Sequence, residues 1–375
     1  MSVSKDNWVR IGDYIERSMV NNSDLKYGIN LIEGVNSNGE FCNPKANTEG
    51  INLKPYKIVN NDDFVYNPSR LNIGSLTLRK TGMCIVSHLY VVFHLTKYGK
   101  QHFIPEFLYL FFSREEFGRM VTYLNFGSQR PEFNFFEMSE IHVPCPSLDV
   151  QRELVATYNG VKALAEENEA LAAQLAKMCE ALVVESGKKY PHVPLGEYIE
   201  PCDERNTDGK YSVDDVRGIS TDKKFIPTKA NMDGVSVKSY KIVNPHEFAY
   251  VADTSRRGDK IALALNSTEH SMLISSIYTT FHTKDSQTLL PEYLFLLLSR
   301  TEFDRLARFN SWGSARETFD WAELCRVEIP LPSIAEQQSI ANLYHCMEEA
   351  KSIAAEARER LKTLCPALVL KGANV

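Results

Sequence analysis

The stretch FGSQRPEFNFFEMSEIHVPCPSL, residues 126–148, returns in altered form as WGSARETFDWAELCRVEIPLPSI, residues 312–334. The two stretches lie 186 residues apart, and each contains G-S-x-R followed by a β-branched residue and P-x-P-S. Self-similarity at a fixed offset is the sequence signature of a structural unit that occurs more than once. The pair therefore predicts that one fold is present twice in this chain.

The repeat extends beyond these two stretches. At the same offset, Pro-Glu at 105–106 matches Pro-Glu at 291–292. Nearer the N-terminus the offset is 184, where YKIVN occurs at 56–60 and again at 240–244. A length change of two residues therefore separates the two registers. So many collinear matches are a poor fit to chance, and they indicate a tandem duplication.

Length and composition favour a globular protein with two domains. The chain has 375 residues, of which 43% are hydrophobic and 24% are charged, as in ordinary globular domains. No apolar run approaches the ~20 residues of a membrane span, and the N-terminal residues lack a signal-peptide core. The eight cysteines contain no C-x-x-C pair. We therefore expect neither a zinc ribbon nor a disulfide scaffold, and we expect a cytoplasmic protein.

The charge balance differs between the two copies. The formal net charge is −6, which by itself argues mildly against a nucleic-acid partner. Residues 1–148 have no net charge, whereas residues 190–334 have a net charge of −4. Local patches rather than the total charge must therefore decide what the protein binds.

Each copy combines a mixed globular part with a long helix. Runs such as Cys84–Val86 and 90–93 are rich in β-branched and aromatic residues and predict strands. Residues 105–124 have a helical spacing of apolar side chains. The sequences that begin PSLDVQREL and PSIAEQQSI then predict the long helices. In the first of these, 149–185 corresponds to a rod of about 55 Å.

These elements predict an α+β fold with an internal pseudo-two-fold repeat. Two similar globular mixed α/β domains are expected to be separated by a long antiparallel two-helix coiled coil. The expected boundaries are a first domain at 1–148, a central helix at 149–187, a second domain at 188–334 and a C-terminal helix at 335–375.

The seam of the predicted coiled coil follows apolar residues at alternating spacings of three and four. In the first helix it comprises Val161, Leu164, Asn168, Leu171, Leu175, Met178 and Leu182. In the second it comprises Met347, Ala350, Ala354, Ala357, Leu361, Leu364 and Leu368. An antiparallel pairing would set large side chains against small ones along the whole seam, as close packing requires. Asn168 either fixes the register at an inner position or lies at the edge of the seam.

These patterns resemble a known family. G-S-x-R with P-x-P-S, leading into a long helix, resembles the specificity subunit of type I restriction–modification systems. The segment FVYNPSRLNIGSLTLRKTGMCIVSHLYVVF, residues 64–93, is similar to the first target recognition domain of such subunits. FAYVADTSRRGDKIAL, beginning at Phe248, is a divergent second copy. The resemblance covers essentially the whole chain.

The resemblance implies a DNA-binding protein without catalytic activity of its own. Each globular domain would be a target recognition domain that reads one half of a bipartite site in double-stranded DNA. The helices would set the spacer and dock two modification subunits, and restriction subunits could join them. S-adenosylmethionine, ATP and Mg²⁺ would then be bound by the partner subunits, with no cofactor on this chain.

The residues agree with that expectation, because the sequence lacks the motifs of the enzymes involved. It contains no N-P-P-[FY] or D-P-P-Y methyltransferase motif and no G-x-x-x-x-G-K-[ST] phosphate loop. His88, His94 and His102 are close in sequence, but no matching carboxylate pair was evident in the second copy. We therefore predict no catalytic residues and no metal ligands.

Candidate DNA contacts are the side chains that commonly bind base edges and phosphates. In the first copy they are Ser128, Gln129, Arg130, Asn67, Ser69, Arg70, Arg79, Lys80 and Lys45. In the second they are Ser314, Arg316, Ser255, Arg256, Arg257 and Lys229. Gln129 is replaced by Ala315 in the second copy, as expected if the two copies read different half-sites. Alternatively, Arg130 and Arg316 pair with acidic neighbours and close their loops.

A second hypothesis belongs to another class of function. The chain could be a protein-binding scaffold, or an orphan specificity protein whose recognition domains no longer read DNA. The acidic second copy favours this alternative. Salt dependence of DNA binding distinguishes the two hypotheses, because phosphate contacts release counterions.

Overall fold

The structure is a computed structural model that describes residues 7–44, 47–124, 132–253, 260–313 and 317–373. It divides into two compact units. Unit 1 comprises residues 1–167 and 353–375, and unit 2 comprises residues 168–352. Each of the two long helices therefore contributes one segment to unit 1 and another to unit 2.

Unit 1 is built from short strands, three short helices and segments of the two long helices. Its strands are β1 (Trp8–Arg10), β2 (Ile15–Arg17), β3 (Gly34–Val35), β4 (Phe41–Cys42), β5 (Lys57–Val59), β6 (Phe64–Tyr66), β7 (Leu76–Leu78), β8 (Cys84–Val86), β9 (Val91–Leu95) and β10 (His142–Pro144). Its short helices are α1 (Pro105–Phe112), α2 (Glu115–Leu124) and α3 (Phe135–Ser139), and the first long helix is α4 (Leu148–Lys189).

Unit 2 has the corresponding elements in the same order. Its strands are β11 (His192–Pro194), β12 (Ile199–Cys202), β13 (Arg217–Ile219), β14 (Phe225–Pro227), β15 (Lys241–Val243), β16 (Phe248–Tyr250), β17 (Leu263–Leu265), β18 (Met272–Ile274), β19 (Thr279–Thr283) and β20 (Glu328–Pro330). Its short helices are α5 (Pro291–Ser299), α6 (Thr301–Phe309) and α7 (Trp321–Cys325), and the second long helix is α8 (Ile334–Ala373).

Each unit contains a four-stranded antiparallel sheet of the same topology. The strand order is β2-β9-β6-β7 in unit 1 and β12-β19-β16-β17 in unit 2. Phe64 stacks on Phe93 across β6 and β9 with ring centroids 4.9 Å apart, and Phe248 stacks on Phe281 at 4.7 Å. Matching strand order and matching aromatic pairs extend the duplication from the sequence to the cores.

The apolar run at 105–124 forms two helices rather than one. α1 is almost wholly buried, whereas α2 buries Phe117 and Val121 and exposes its opposite face. The helices meet at Arg114, whose Nε donates to Phe111 O at 3.0 Å and whose guanidinium lies over the Phe111 ring. This break turns the end of α2 toward the surface of the unit.

A buried glutamine fastens the start of each long helix to the globular part of its unit. Gln151 Nε2 donates to His102 O at 2.7 Å and to Pro146 O at 2.8 Å, and its Oε1 accepts the Ile104 N–H at 2.9 Å. Gln337 makes the three equivalent bonds in unit 2. A fully satisfied buried amide of this kind fixes one orientation of the helix against the core.

The two long helices run antiparallel within each unit. In unit 1, Lys371 Nζ lies 3.2 Å from Glu153 Oε1, and the start of α4 packs near the end of α8. In unit 2, Lys189 Nζ lies 2.9 Å from Glu336 Oε1, and Ala172 packs against the middle of α8. α8 continues through Pro366 to Ala373.

The end of α4 is joined to the start of α8 by an exposed polar cluster. Hydrogen bonds from Tyr190 and then Lys189 lower the pKa of Glu336 to about 2. The Ser333 hydroxyl, just before α8, donates to the same carboxylate at 3.0 Å. Since a carboxylate near a helix N-terminus also interacts favourably with the helix dipole, this cluster stabilises the first turn of α8.

The seam predicted for α4 is wrong at three of its positions. Leu164, Leu171 and Met178 are exposed, whereas the next residue in each case is buried: Ala165, Ala172 and Cys179. The buried pattern of α8 includes Met347, Ala350, Ala354 and Ala357. Ala172 packs there against Met347 and Ala350. Leu164, Leu171 and Met178 lie at the surface instead, because small residues at the inner positions allow two helices to approach closely.

Unit 2 contains a buried ion pair that has no counterpart in unit 1. Lys223 Nζ lies 2.6 Å from Asp304 Oδ1 and donates to Leu298 O at 2.8 Å. Burial lowers the pKa of Lys223, and the bond to Asp304 partly offsets that shift. The equivalent residues in unit 1 are Gly39 and Gly118, where an added Cβ would lie within 3 Å of backbone oxygens. The two units therefore fill the same space in different ways.

Candidate nucleic-acid interface

The turn after β6 holds three of the candidate DNA-binding residues. Asn67 Oδ1 accepts the Ser69 N–H at 3.0 Å, and Asn67 O accepts the Arg70 N–H at 3.0 Å. Asparagine commonly stabilises a turn in this way. Ser69 and Arg70 are exposed at the tip of the turn. The structure therefore gives Asn67 a role in shaping the turn and leaves Ser69 and Arg70 accessible to a ligand.

This turn lies beside residues 132–133. Phe133 donates its N–H to Pro68 O at 3.0 Å, and the Ser69 hydroxyl lies 3.5 Å from Glu132 Oε1. Glu132 directly follows 125–131, which contains Gly-Ser-Gln-Arg and lies outside the described residues. The turn is thus joined by backbone hydrogen bonding to residues 132–133, which follow the second candidate group in the sequence.

Unit 2 repeats this arrangement. Phe319 donates its N–H to Ala252 O at 2.8 Å, which is the bond equivalent to that between Phe133 and Pro68. Thr318 also exchanges backbone hydrogen bonds with Trp312 at 2.9 and 3.2 Å. Ala252, at the end of the segment that follows β16, is therefore bonded to the residues that follow the second G-S-x-R in the sequence.

Exposed aromatic residues lie shortly before each G-S-x-R in the sequence, and the sequence analysis did not single them out. Tyr123, in the last turn of α2, is 80% exposed, and Phe309, at the end of α6, is 81% exposed. These residues are 186 apart and occupy equivalent positions. Trp312, three residues after Phe309, is 66% exposed. An aromatic residue at the same position of both copies was the available signal, but helical spacing alone does not show which face of a helix is buried.

Arg79 is not available as a DNA contact. Its Nη1 lies 2.8 Å from Glu33 Oε2, its guanidinium covers the Phe41 ring, and its side chain is only 14% exposed. In unit 2 the equivalent position is the buried Asn266, which binds two backbone carbonyls. The position has a structural role in both units, so the prediction for Arg79 is wrong.

The remaining candidates fall into two groups. Lys80 and Lys229 are exposed, and Lys80 lines a cleft of unit 1 between the globular part and the long helices. The others lie outside the described residues: Lys45, Ser128, Gln129, Arg130, Ser255, Arg256, Arg257, Ser314 and Arg316. Among the described residues, the candidate surface of unit 1 thus consists of the turn at 67–70 and the adjoining residues 132–133. Tyr123 and Phe309 are further exposed candidates at equivalent positions of the two units.

Comparison with known proteins finds a family that resembles the first part of the chain. Residues 5–175 match the family described as "Type I restriction modification DNA specificity domain". The matched range covers most of unit 1 and part of α4. No curated protein matches the sequence significantly.

Solved structures extend the likeness to the whole chain. The S subunit of a type I restriction–modification system from M. genitalium has a TM-score of 0.59 at 11% identity and covers 100% of this chain and 98% of its own. The HsdS subunit from Thermoanaerobacter tengcongensis has a TM-score of 0.45 at 17% identity, with coverage of 98% and 96%. A chain from a study of complex assembly in the type I R-M system has a TM-score of 0.42 at 17% identity, covering 98% of both chains. The first of these shows a specificity-subunit fold for the chain as a whole.

In the described part of the chain, no helix has both the length and the apolar character needed to cross a lipid bilayer.

Proposed function

We propose that this chain is the non-catalytic DNA-specificity subunit of a type I restriction–modification complex. Unit 1 and unit 2 each read one half of a bipartite site in double-stranded DNA. The main support is the duplicated fold, in which residues 5–175, which match the specificity-domain family, are followed by a second unit with the same strand order. The equivalent backbone bonds Phe133–Pro68 and Phe319–Ala252, and the exposed rings of Tyr123 and Phe309, also support the proposal.

Each surface combines groups suited to different parts of a duplex. Ser69 and Arg70 in the turn are suited to phosphate and base-edge contacts. The adjoining segment differs between the copies, with Gln129 replaced by Ala315, and would discriminate between half-sites. Tyr123 and Phe309 present apolar rings that can pack against sugars or wedge between bases. Shared residues would position the DNA, and residues that differ would read it.

The long helices supply the second part of the proposed function. α4 rises about 63 Å over its length and would set the spacer between the two half-sites. Leu171 and Met178 lie seven residues apart on one face of α4 and are 46% and 50% exposed. Exposed large apolar side chains at heptad spacing are suited to packing against a partner helix. We assign this face to a modification subunit.

The chemistry would take place on the partner subunits. The modification subunits would bind S-adenosylmethionine, and restriction subunits, where present, would bind ATP and Mg²⁺. This chain would contribute recognition, spacing and docking.

Methylation mapping tests the reading of two half-sites. The chain would be co-expressed with its modification subunits in a host that lacks DNA methylation, and methylated sites would be mapped across the genome. Tyr123→Ala and Phe309→Ala form a matched pair, since each removes one exposed ring from one unit. We expect each variant to lower the overall level of methylation. Among the sites that stay methylated, we expect the sequence requirement to be relaxed in one half of the motif, and in a different half for each variant. Equal loss at both halves, or methylated sites without two parts, would overturn the proposal.

Copurification tests the docking face. We expect Leu171→Glu together with Met178→Glu to reduce copurification of the modification subunit at least tenfold, because two charges would be buried against an apolar partner. Ala173→Glu is the control, since Ala173 is exposed on another face of α4. Unchanged copurification of the double variant would contradict the assignment.

A DNA titration across salt concentrations distinguishes a DNA-specificity subunit from a protein-binding scaffold. The affinity of a DNA-specificity subunit for DNA falls steeply with salt, whereas a scaffold shows no steep salt dependence.

A further inference from the structure

Three neighbouring strands of unit 2 bring a thiol, an imidazole and a carboxylate together. Cys202 is the last residue of β12, His282 lies in β19, and Glu247 directly precedes β16. β19 lies between the other two strands in the sheet. One ligand atom from each residue lies within 4.8 Å of the other two. We propose that Cys202, Glu247 and His282 form a Zn²⁺ site.

The histidine is oriented as a metal ligand is. His282 Nε2 lies 2.9 Å from Glu200 Oε1, its cross-strand neighbour in the register of β12 and β19. His282 Nδ1 is buried and makes no hydrogen bond. A carboxylate that accepts the proton of one ring nitrogen leaves the lone pair of the other nitrogen free for a metal. Glu200 thus acts as a positioning residue that directs Nδ1 toward the cluster.

The donor set favours zinc over the common hard cations. One sulfur, one nitrogen and one oxygen suit Zn²⁺, whereas Ca²⁺ and Mg²⁺ prefer oxygen ligands throughout. Ligand atoms about 2.0–2.3 Å from a tetrahedral zinc lie about 3.5 Å from one another. The three ligand atoms would therefore have to approach one another by about 1 Å, and side-chain rotation can supply this movement.

The cluster is accessible to ions and to a fourth ligand. Glu247 and His282 line a cavity of about 520 Å³ that opens to solvent. Cys202, Glu247 and His282 are each half-buried. Water can therefore complete a tetrahedral site from the cavity. Bound zinc would tie β12, β19 and β16 together at one face of the sheet.

Unit 1 provides an internal comparison. The equivalent residues are Ser18, Asp63 and His94, and His94 also has a carboxylate on each side, with Nε2 3.1 Å from Glu16 and Nδ1 3.3 Å from Asp63. The expectation that no matching carboxylate pair occurs in the second copy is therefore wrong, since His282 lies beside Glu200 and Glu247. The decisive difference is Ser18, because a serine hydroxyl is not a zinc ligand of the kind that a thiolate is. Of these two sets of three equivalent residues, the set in unit 2 has the sulfur, nitrogen and oxygen donors, and the set in unit 1 lacks the sulfur.

Cobalt substitution tests the site in the full-length chain. The protein would be purified without a histidine tag, stripped with a chelator and titrated with Co²⁺, which reports thiolate ligation by a charge-transfer band in the near ultraviolet. We expect one equivalent to bind, and we expect Zn²⁺ to displace it. Cys202→Ser, which installs the residue of unit 1, should remove the band and weaken Zn²⁺ binding at least 100-fold. Cys346→Ser is the control, since Cys346 is an exposed thiol elsewhere in unit 2.

A second pair of variants protects the test against misfolding. His282→Gln should also abolish the band, and Glu200→Ala should weaken Zn²⁺ binding about 10–100-fold, as the loss of an orienting carboxylate does. Circular dichroism of the metal-free proteins would verify that each variant folds. The proposal is overturned if no stoichiometric band forms, if folded Cys202→Ser or His282→Gln retains it, or if Cys346→Ser abolishes it.

Discussion

Replacing Gln151 with leucine tests whether one buried amide holds α4 against the core of unit 1. Leucine has a similar size, but it can neither donate to His102 O and Pro146 O nor accept from Ile104 N–H. All three hydrogen bonds of the amide, at 2.7, 2.8 and 2.9 Å, are therefore lost. The substitution leaves the surrounding backbone groups in place and without their partner.

The expected loss of stability is about 3 kcal/mol. Each hydrogen bond contributes about 1 kcal/mol net, and a buried group left without a partner costs about 1–3 kcal/mol. Burying a leucine in place of the amide returns part of this loss, since apolar burial stabilises by about 25 cal/mol per Å². A change of about 3 kcal/mol corresponds to roughly 100-fold more frequent opening of unit 1.

Hydrogen exchange measured by mass spectrometry resolves the two units, which a single melting curve does not. We expect slowly exchanging amides of unit 1 to exchange roughly 100-fold faster in Gln151→Leu, with unit 2 unchanged, and the reverse in Gln337→Leu. Gln338→Leu is the control, because Gln338 is exposed and its amide binds the side chain of Asn342. Acceleration below about threefold, or equal acceleration in both units, would refute the reasoning.

Three further predictions concern the ion pair, the spacing and the turn. Asp304→Ala should destabilise unit 2 by about 3–5 kcal/mol in denaturant unfolding, because Lys223 stays buried without its partner. Adding Lys223→Met to this variant should recover much of the lost stability. A double variant as unstable as Asp304→Ala would contradict this account. If the helices set the spacer, inserting seven residues after both Glu167 and Ser352 should lengthen the gap between half-sites by about three base pairs, since seven helical residues rise about 10.5 Å. An unchanged gap on methylation mapping would reject the spacer role. Arg70→Ala should reduce the salt slope of DNA binding by about one, and an unchanged slope would exclude a phosphate contact.

Local patterns in the sequence predicted most of the secondary structure. The β-branched runs at Cys84–Val86 and 90–93 correspond to β8 and β9, because extended strands favour such side chains. The helical spacing at 105–124 predicted helix, but the break at Arg114 depends on a contact with the core and was not visible. For the candidate interface, the sequence singled out the turn at Asn67, which the structure describes, and the G-S-x-R segments, which lie outside the described residues. It missed Tyr123 and Phe309, because a periodic aromatic does not reveal which face is buried.

The sequence by itself determined that one fold occurs twice and that each copy leads into a long helix. Matching residues at a constant offset require no knowledge of contacts. Tertiary structure decided which residues meet. Ala172 rather than Leu171 enters the helix seam, because two helices that approach closely favour small side chains at the inner positions. Cys202, Glu247 and His282 become neighbours only when β12, β16 and β19 pair, since strand pairing joins residues that are up to eighty positions apart in the sequence.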